Sequence, residues 1–296
     1  MITIATHSGS FHADDVFAVA ALKMYLKDTE ETPTEVVRTR NSEQVSECNY
    51  AVDVGGVYDP AAGRFDHHQK DGVENRVNGI PYAAFGLIWK EFGEAICEDA
   101  DLADRIDSRL VQPIDAPDNG VSLTKGATHP GVYPYYLGDA VNAFRPTWKE
   151  SPEREDAAFN ELVEWATVLL KREIKAATDI AEGEKLVEQA YEAADDKRII
   201  YMDQNLPWKG VLTGKEEPLF VVYPHDSGRW RLRAVPADAS FESRAELPEA
   251  WRGKRDEELQ KATGVDSAVF CHKSLPMIVT LDKEGIDTIA AKVVQK

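Results

Sequence analysis

The strongest constraint on the fold is an alternation of strand-like and helical patterns in the first 54 residues. β-rich apolar runs occur at 2–6, 34–39 and 50–54, and residues 14–27 place apolar side chains at helical spacing behind two acidic residues. Asn41 can cap a short helix before the third run. A βαβαβ order predicts an α/β fold with a parallel sheet, whose functional sites lie beyond the carboxyl ends of its strands.

The remaining patterns predict two further parts. Helical spacing recurs at 82–97 and 100–112, followed by a Gly- and Pro-rich stretch that we interpret as an irregular loop over 113–135. A long helix or helix pair is predicted over 152–195, and the last hundred residues show alternating strand patterns and a final helix. We therefore expect an N-terminal domain, a helical connector and a smaller α+β domain, at residues 1–150, 151–197 and 198–296.

Charge is distributed unevenly along the 296 residues. The net charge of −18 arises entirely in residues 1–197, since residues 198–296 carry 15 basic and 15 acidic side chains. A basic face for duplex nucleic acid is therefore disfavoured, because that mode needs many Lys and Arg contacts to phosphates. An acidic part beside a neutral part is compatible with a cation site facing an anion-binding half, or simply with solubility.

Other classes are disfavoured by composition. The three cysteines show no CxxC spacing, which argues against a disulfide scaffold and a structural zinc module. No apolar run approaches the ~20 residues of a membrane span, and the first residues lack the pattern of a signal peptide. We expect a cytoplasmic protein without a membrane partner.

Histidine and aspartate concentrate in a few short segments of the first domain. One segment follows the first strand, a second ends the third strand, a third is Asp66-His67-His68, and a fourth lies near Pro113. Because the strands are predicted to be parallel, their carboxyl ends should bring these side chains together. The candidate metal ligands are His7, His12, Asp14, Asp15, Asp53, His68 and Asp115.

Each of these residues also has an ordinary structural interpretation. Asp14 could cap a helix, His7 could be a core histidine and Asp53 could close a turn. Their combination favours a metal site instead. Imidazole and carboxylate ligands without thiolate suit Mn²⁺ or Mg²⁺, and the set is large enough for two ions about 3.5–4 Å apart that activate a water and hold phosphoryl oxygens.

Several of these segments resemble those of a known family. THSGSFHADDVFA, AVDVGGVYDP, RFDHHQ, PYAAFGLIWKEFG and YPHDSGRWRLRAVP are similar to segments of the MYG1 family, which is itself similar to the DHH phosphoesterases. The resemblance spans nearly the whole chain. It implies a DHH-like N-terminal domain, a divalent-metal centre, and phosphoesterase or 3′–5′ exonuclease activity on RNA. One departure from the wider DHH pattern is His12, which occupies the place of an aspartate and makes the centre less anionic.

The C-terminal domain carries a possible anion site. Arg229, Arg231 and Arg233 alternate along one predicted strand, which would turn Trp230 and Leu232 toward the core. Three such arginines can form a receptor for phosphate, although a solvated strand face is the usual outcome. Further candidates for this site are His225, Arg244, His272 and Lys273.

The leading hypothesis is a metal-dependent hydrolase that cleaves RNA, oligonucleotides or small nucleotides by metal-activated water. Asp66, His67 and His68 are expected to act in catalysis, and the C-terminal arginines, with His272 and Lys273, to bind substrate. Two alternatives remain open: another metallohydrolase, such as a pyrophosphatase or an amide hydrolase, and a nucleotide-sensing protein without turnover. The acidic helical stretch could also form a homodimer face.

Overall fold

The computed structural model describes residues 1–27, 33–70, 72–124, 129–225, 227–238 and 242–295. The chain divides into two compact units, Met1–Thr178 and Asp179–Lys296. The fold is mixed α/β, and each unit contains a five-stranded sheet. No helix within the described residues is both long enough and apolar enough to cross a membrane.

The first unit opens with the predicted βαβαβ order. The elements are β1 (Ile2–Thr6), α1 (Ala13–Tyr25), β2 (Thr34–Arg38), α2 (Ser42–Glu47) and β3 (Tyr50–Val52). The Asn41 side chain accepts hydrogen bonds from the backbone N–H groups of Glu43 and Gln44, which confirms the predicted cap of α2. Two short strands follow, β4 (Tyr58–Asp59) and β5 (Arg64–Phe65).

The first sheet has the strand order β2-β1-β3-β5-β4. β1 pairs in parallel with β2 and β3, β3 pairs in parallel with β5, and only the edge pair β4–β5 is antiparallel. The predicted parallel sheet is therefore confirmed. Helix α1 is buried on all sides from Ala13 to Leu22, deeper than its sequence spacing suggested, because both the sheet core and α3 (Ala84–Cys97) cover it.

The predicted irregular loop over 113–135 is wrong at its beginning. Helix α4 (Ala100–Ile106) continues through a π-helical stretch, Asp107–Val111, into α5 (Gln112–Asp118). Pro113 lies just after the π-helical stretch and Pro117 lies inside α5, so the helical run continues past Pro113. The short helix α6 (Leu137–Asn142) follows.

Helix α7 (Arg154–Ala193) is a single helix of 40 residues. Of the two predicted arrangements over 152–195, the long helix is therefore confirmed and the helix pair is wrong.

The second unit continues with β6 (Ile199–Tyr201), α8 (Trp208–Thr213), β7 (Phe220–Pro224), β8 (Trp230–Ala234), α9 (Asp256–Thr263), β9 (Ala268–Cys271), β10 (Met277–Thr280) and α10 (Lys283–Val294). Its sheet has the order β6-β7-β8-β10-β9 and is antiparallel except for β6–β7. Leu232 is buried and Trp230 packs on the same core, as predicted.

Candidate metal centre

Three of the predicted segments meet at one edge of the first sheet. His7 follows β1, Asp53 follows β3, and the segment Asp66-His67-His68 follows β5. Because these three strands are parallel and adjacent, their carboxyl ends lie side by side and the side chains that follow them converge. The topology of the sheet thus assembles the site.

Asp53 has an unusual backbone conformation that helps to aim its side chain. Its φ is +54°, and Gly55 and Gly56 also have positive φ values. Aspartate is among the few non-glycine residues that tolerate this left-handed region. Asp66 stabilises the backbone that follows Asp53, since its Oδ2 accepts a hydrogen bond of 2.6 Å from the Gly56 N–H.

His7 contacts two buried carboxylates. Its Nε2 lies 3.2 Å from Asp15 Oδ2 and 3.3 Å from Asp53 Oδ2. Burial disfavours the charged imidazole, but the two carboxylates outweigh burial and raise the pKa of His7 to about 9. The ligand atoms of this trio lie within 4.8 Å of one another, close enough to share an ion.

Asp53 also contacts the adjacent histidines of the third segment. Its Oδ1 lies 3.4 Å from His67 Nε2 and 3.3 Å from His68 Nδ1. His67 Nε2 lies 3.3 Å from Asp118 Oδ2, and Asp14, His67 and Asp118 form another group with convergent ligand atoms. Since Asp53 and His67 each belong to two groups, the groups form one continuous cluster.

Burial and the close spacing of charged groups shift the pKa values of the cluster residues. Burial, followed by the charges of Asp53, Asp118 and Asp115, raises the pKa of Asp14 well above its ordinary value. Burial also opposes the charged form of Asp53, but the three neighbouring histidines prevail and lower its pKa. For His67, burial is outweighed by Asp118 and Asp53, and its pKa rises to about 11.

The donor set fits a divalent cation. Within the described part of the chain, three buried atoms of the cluster have no hydrogen-bond partner: Asp15 Oδ2, Asp53 Oδ1 and His67 Nε2. These atoms make only ion-pair contacts of 3.2–3.4 Å, and because buried polar atoms almost always form hydrogen bonds, their convergence indicates room for a ligand that all three can bind. Carboxylate oxygens and imidazole nitrogens are donors suited to Mn²⁺, Mg²⁺ and similar ions.

Two predicted residues, Asp66 and His12, lie beside the cluster, and Asp14 has further contacts in addition to its place in a ligand group. Asp66 Oδ1 lies 2.8 Å from Nδ1 of His68 and orients that ring, whose side chain is 63% exposed. His12 is exposed, and its ring centroid lies 6.0 Å from that of His7. Asp14 accepts hydrogen bonds from the N–H groups of Ala84 and Phe85, and so also caps α3.

The fourth segment contributes a different aspartate from the one predicted. Asp115 is fully buried and its Oδ2 lies 2.7 Å from Arg76 Nη1, while its Oδ1 accepts from the Gly86 N–H. None of the three ligand groups found among the described residues includes Asp115. Asp118, one turn farther along α5, takes part instead. The spacing alone could not separate the two, because both follow the same proline-rich pattern.

A cavity of about 630 Å³ opens beside the cluster. Its lining includes His12, His68, Asp118 and the exposed side chain of Arg40, which sequence reasoning missed. Arg40 Nε donates to the Ser8 carbonyl at 3.1 Å. Arg38 and Arg145 donate to the neighbouring carbonyls of Gly9 and Phe11, so three arginines fix the loop between His7 and His12.

The second unit contains its own basic cavity, of about 260 Å³. Arg229 and Arg231 line it together with Arg255, which the sequence analysis did not single out and which stacks 4.6 Å above Phe270. Arg233 lies over the Trp208 ring instead. His272 and Lys273 do not line this cavity, and Arg244 donates to the backbone carbonyls of Leu212, Thr213, Glu216 and Pro218.

Comparisons with known proteins agree on one family. A sequence model of the MYG1_exonuc family, described as Uncharacterised protein family (UPF0160), matches residues 3–294. MYG1 exonuclease of Homo sapiens is 32% identical over 92% of this chain and 80% of its own length. A MYG1 protein of Schizosaccharomyces pombe is 32% identical over 93% of this chain and 91% of its own length. A MYG1 protein of Chlamydia pneumoniae is 33% identical over 96% of this chain and 93% of its own length.

Proposed function

The chain belongs to the MYG1 family, and we propose that it is a divalent-metal-dependent phosphodiesterase that shortens RNA or short oligonucleotides from the 3′ end. The observation that carries the proposal is the buried cluster around Asp53, whose convergent oxygen and nitrogen atoms lack hydrogen-bond partners among the described residues. The name of the human relative, MYG1 exonuclease, supports the reaction class.

The proposed ligands are drawn from four segments of the first unit. We assign the ion-holding role to the members of the three convergent groups, which are His7, Asp14, Asp15, Asp53, His67, His68 and Asp118. Asp53 belongs to two groups and directs one oxygen toward each, Oδ2 toward His7 and Oδ1 toward His67, so it is the candidate for a carboxylate shared by two ions. His12 borders the same cavity and completes the set, whereas Asp115 serves as the buried partner of Arg76.

Bound Mn²⁺ or Mg²⁺ ions would supply Lewis-acid polarisation of a phosphoryl oxygen and lower the pKa of an attacking water. The side chains of the cavity then have separate tasks. Nδ1 of His68 faces Asp53 and Asp66 on the side of the ligand group, so its Nε2–H can donate a hydrogen bond to a phosphoryl oxygen. Arg40 lines the cavity and can bind a non-bridging phosphate oxygen.

Two finer assignments belong to the same proposal. The parallel sheet with a histidine–aspartate cluster at its carboxyl edge supports a DHH-like organisation of the first unit. In the second unit, Arg229 and Arg231 are proposed to bind phosphates of the substrate, because they line a cavity with a third arginine and no carboxylate in its described lining. Arg233, His272 and Lys273 stay predicted substrate contacts, and none of them lines this cavity.

The proposal is tested with 5′-labelled RNA of about ten nucleotides and protein freed of metal. With Mn²⁺ or Mg²⁺ restored, we expect a ladder that shortens from the 3′ end, and chelation should abolish it. A matched DNA strand measures the preference for RNA. Internal cuts without a ladder would overturn the exonuclease assignment. Absence of diester cleavage, together with turnover of pyrophosphate or acylated amines, would favour another metallohydrolase.

A further inference from the structure

A second cavity of the first unit, about 570 Å³ in volume, borders the metal centre. It shares His12, Pro117 and Asp118 with the first cavity, and Asp14 also lines it. Asp14 and Asp118 are two members of a convergent ligand group. A substrate whose phosphate lies at these shared residues would therefore extend into both cavities.

The walls of the second cavity differ from those of the first. They are mostly apolar, with one aromatic ring and a few polar groups, and the cavity falls within the volume range of small-molecule sites. The ring belongs to Tyr136, which is 44% exposed and whose hydroxyl lies 2.7 Å from Thr124 Oγ1. The apolar lining residues include Leu110, Pro113, Ile114, Val121, Leu123 and Leu137.

Charge decides which part of a nucleic acid this cavity can accept. Outside the metal-ligand set, the charged residues of its described lining are Asp139 and Arg109, and Arg109 Nε is bound to Glu173 at 2.9 Å. The Asp139 carboxylate therefore disfavours a second phosphate group in this cavity, and the paired Arg109 compensates little. An uncharged base and sugar meet no such repulsion, and a base can stack on the tyrosine ring.

We infer that the second cavity binds the terminal nucleoside of the strand whose end phosphodiester lies at the metal centre. This inference rests on the proposed function and deepens it. A site that accepts one nucleoside and disfavours the next phosphate selects a chain end over an internal position. The cavity would thus be the structural reason for exonuclease rather than endonuclease action.

The test separates nucleoside recognition from the chemistry of the diester. The two substrates are the dinucleotide ApA and methyl p-nitrophenyl phosphate, which has no nucleoside. Tyr136→Ala removes the stacking ring, and its backbone N–H still donates to Asp139 Oδ2. Gly138→Leu adds bulk at the cavity wall, where a Cβ meets no atom within 4 Å. Tyr133→Ala is the matched control, since Tyr133 is 74% exposed and is not part of the cavity lining.

We expect both cavity variants to raise KM for ApA by roughly 5- to 150-fold, the equivalent of ~1–3 kcal/mol for one stacked base. KM and kcat for methyl p-nitrophenyl phosphate should stay unchanged, and Tyr136→Phe and Tyr133→Ala should behave like the wild type. Equal effects on both substrates, or no effect on either, would overturn the inference.

A binding measurement keeps the inference independent of turnover. Saturation-transfer NMR with adenosine and metal-free protein in EDTA should show transfer for the wild type and lose it in Tyr136→Ala and Gly138→Leu. Transfer that persists in both variants would contradict the nucleoside site. If adenosine binds in this way but no diester is cleaved with any metal, the nucleoside site stands and the proposed phosphodiesterase activity fails.

Discussion

Oδ1 of Asp53 and Nε2 of His67 lie 3.4 Å apart, and neither atom has a hydrogen-bond partner within the described part of the chain. The two side chains are 4% and 7% exposed. An unsatisfied buried polar atom costs about 1–3 kcal/mol. In the metal-free protein the two atoms make only ion-pair contacts of 3.3–3.4 Å, whereas a bound cation would give both of them a ligand bond, and this relationship is the basis of the metal assignment.

Metal binding should release protons. The pKa of His7 is raised to about 9 and that of His67 to about 11, so both imidazoles are protonated at pH 7 in metal-free protein. A metal ligand must be the neutral imidazole, and Mn²⁺ therefore has to displace about two protons. Raising the pH removes these competing protons, so the affinity should increase from pH 6 toward about 9. Calorimetric titrations in two buffers of different ionisation enthalpy count the protons. Identical heats in both buffers would contradict the assignment of these histidines.

Replacing Asp118 should weaken metal binding, whereas replacing Asp115 should lower the stability of the fold. Asp118→Asn removes a charge from the ligand group with Asp14 and His67, and should lower Mn²⁺ affinity by at least about 10-fold with an unchanged Tm of the metal-free protein. Asp115→Asn removes one of the two carboxylates that pair with Arg76, the other being Asp107, and should lower the free energy of unfolding by about 1–3 kcal/mol. Denaturation with and without Mn²⁺ measures both quantities. The reverse pattern would restore Asp115 as the ligand.

Gly86 should be required for the packing around Asp115. A Cβ at this position would lie 1.9 Å from Asp115 Oδ2, so the carboxylate would have to move away from Arg76 and from the start of α3. We expect Gly86→Ala to lower the free energy of unfolding by about 1–3 kcal/mol despite the better helix propensity of alanine. Gly138→Ala is the matched control in another helix, where a Cβ meets no atom within 4 Å. Equal stabilities of the two variants would show that the site can relax.

The arginines of the second unit should act on binding rather than on turnover. With about 3–4 phosphate contacts at roughly −0.7 each, the logarithm of affinity for a single strand should fall with the logarithm of salt by about −2 to −3. Arg231→Ala should raise KM with little change in kcat, and should make the slope shallower by about 0.7. Arg252→Ala is the control, because this exposed arginine is paired with Glu249 outside the cavity. An unchanged slope for Arg231→Ala would remove this residue from substrate binding.

The parts of the site that follow strand ends could be predicted from the sequence, because parallel strands bring their carboxyl ends together. His7, Asp53 and His67 are such residues. The choice of Asp118 over Asp115 could not be predicted, since it depends on the phase of α5 after the π-helical stretch.

Contacts between residues far apart in the sequence could not be predicted either. Arg145 contacts the Phe11 carbonyl across 134 residues of sequence, and no local pattern marks such a pair. In contrast, β8 alternates apolar residues with Arg231 and Arg233, a pattern that does specify which side faces the core.

The central claim is that phosphodiester turnover depends on divalent ions held around Asp53. It is tested most directly by titrating Mn²⁺ into metal-free wild type and Asp53→Asn while measuring bound Mn²⁺ and the turnover of bis-p-nitrophenyl phosphate. Asparagine tolerates the φ of +54°, so this variant should keep its fold, and the exposed Asp101→Asn is the control. We predict turnover that rises with bound Mn²⁺ in the wild type and falls more than about 100-fold in Asp53→Asn. Near-normal turnover by Asp53→Asn with Mn²⁺ bound, or by wild type after exhaustive chelation, would contradict the claim.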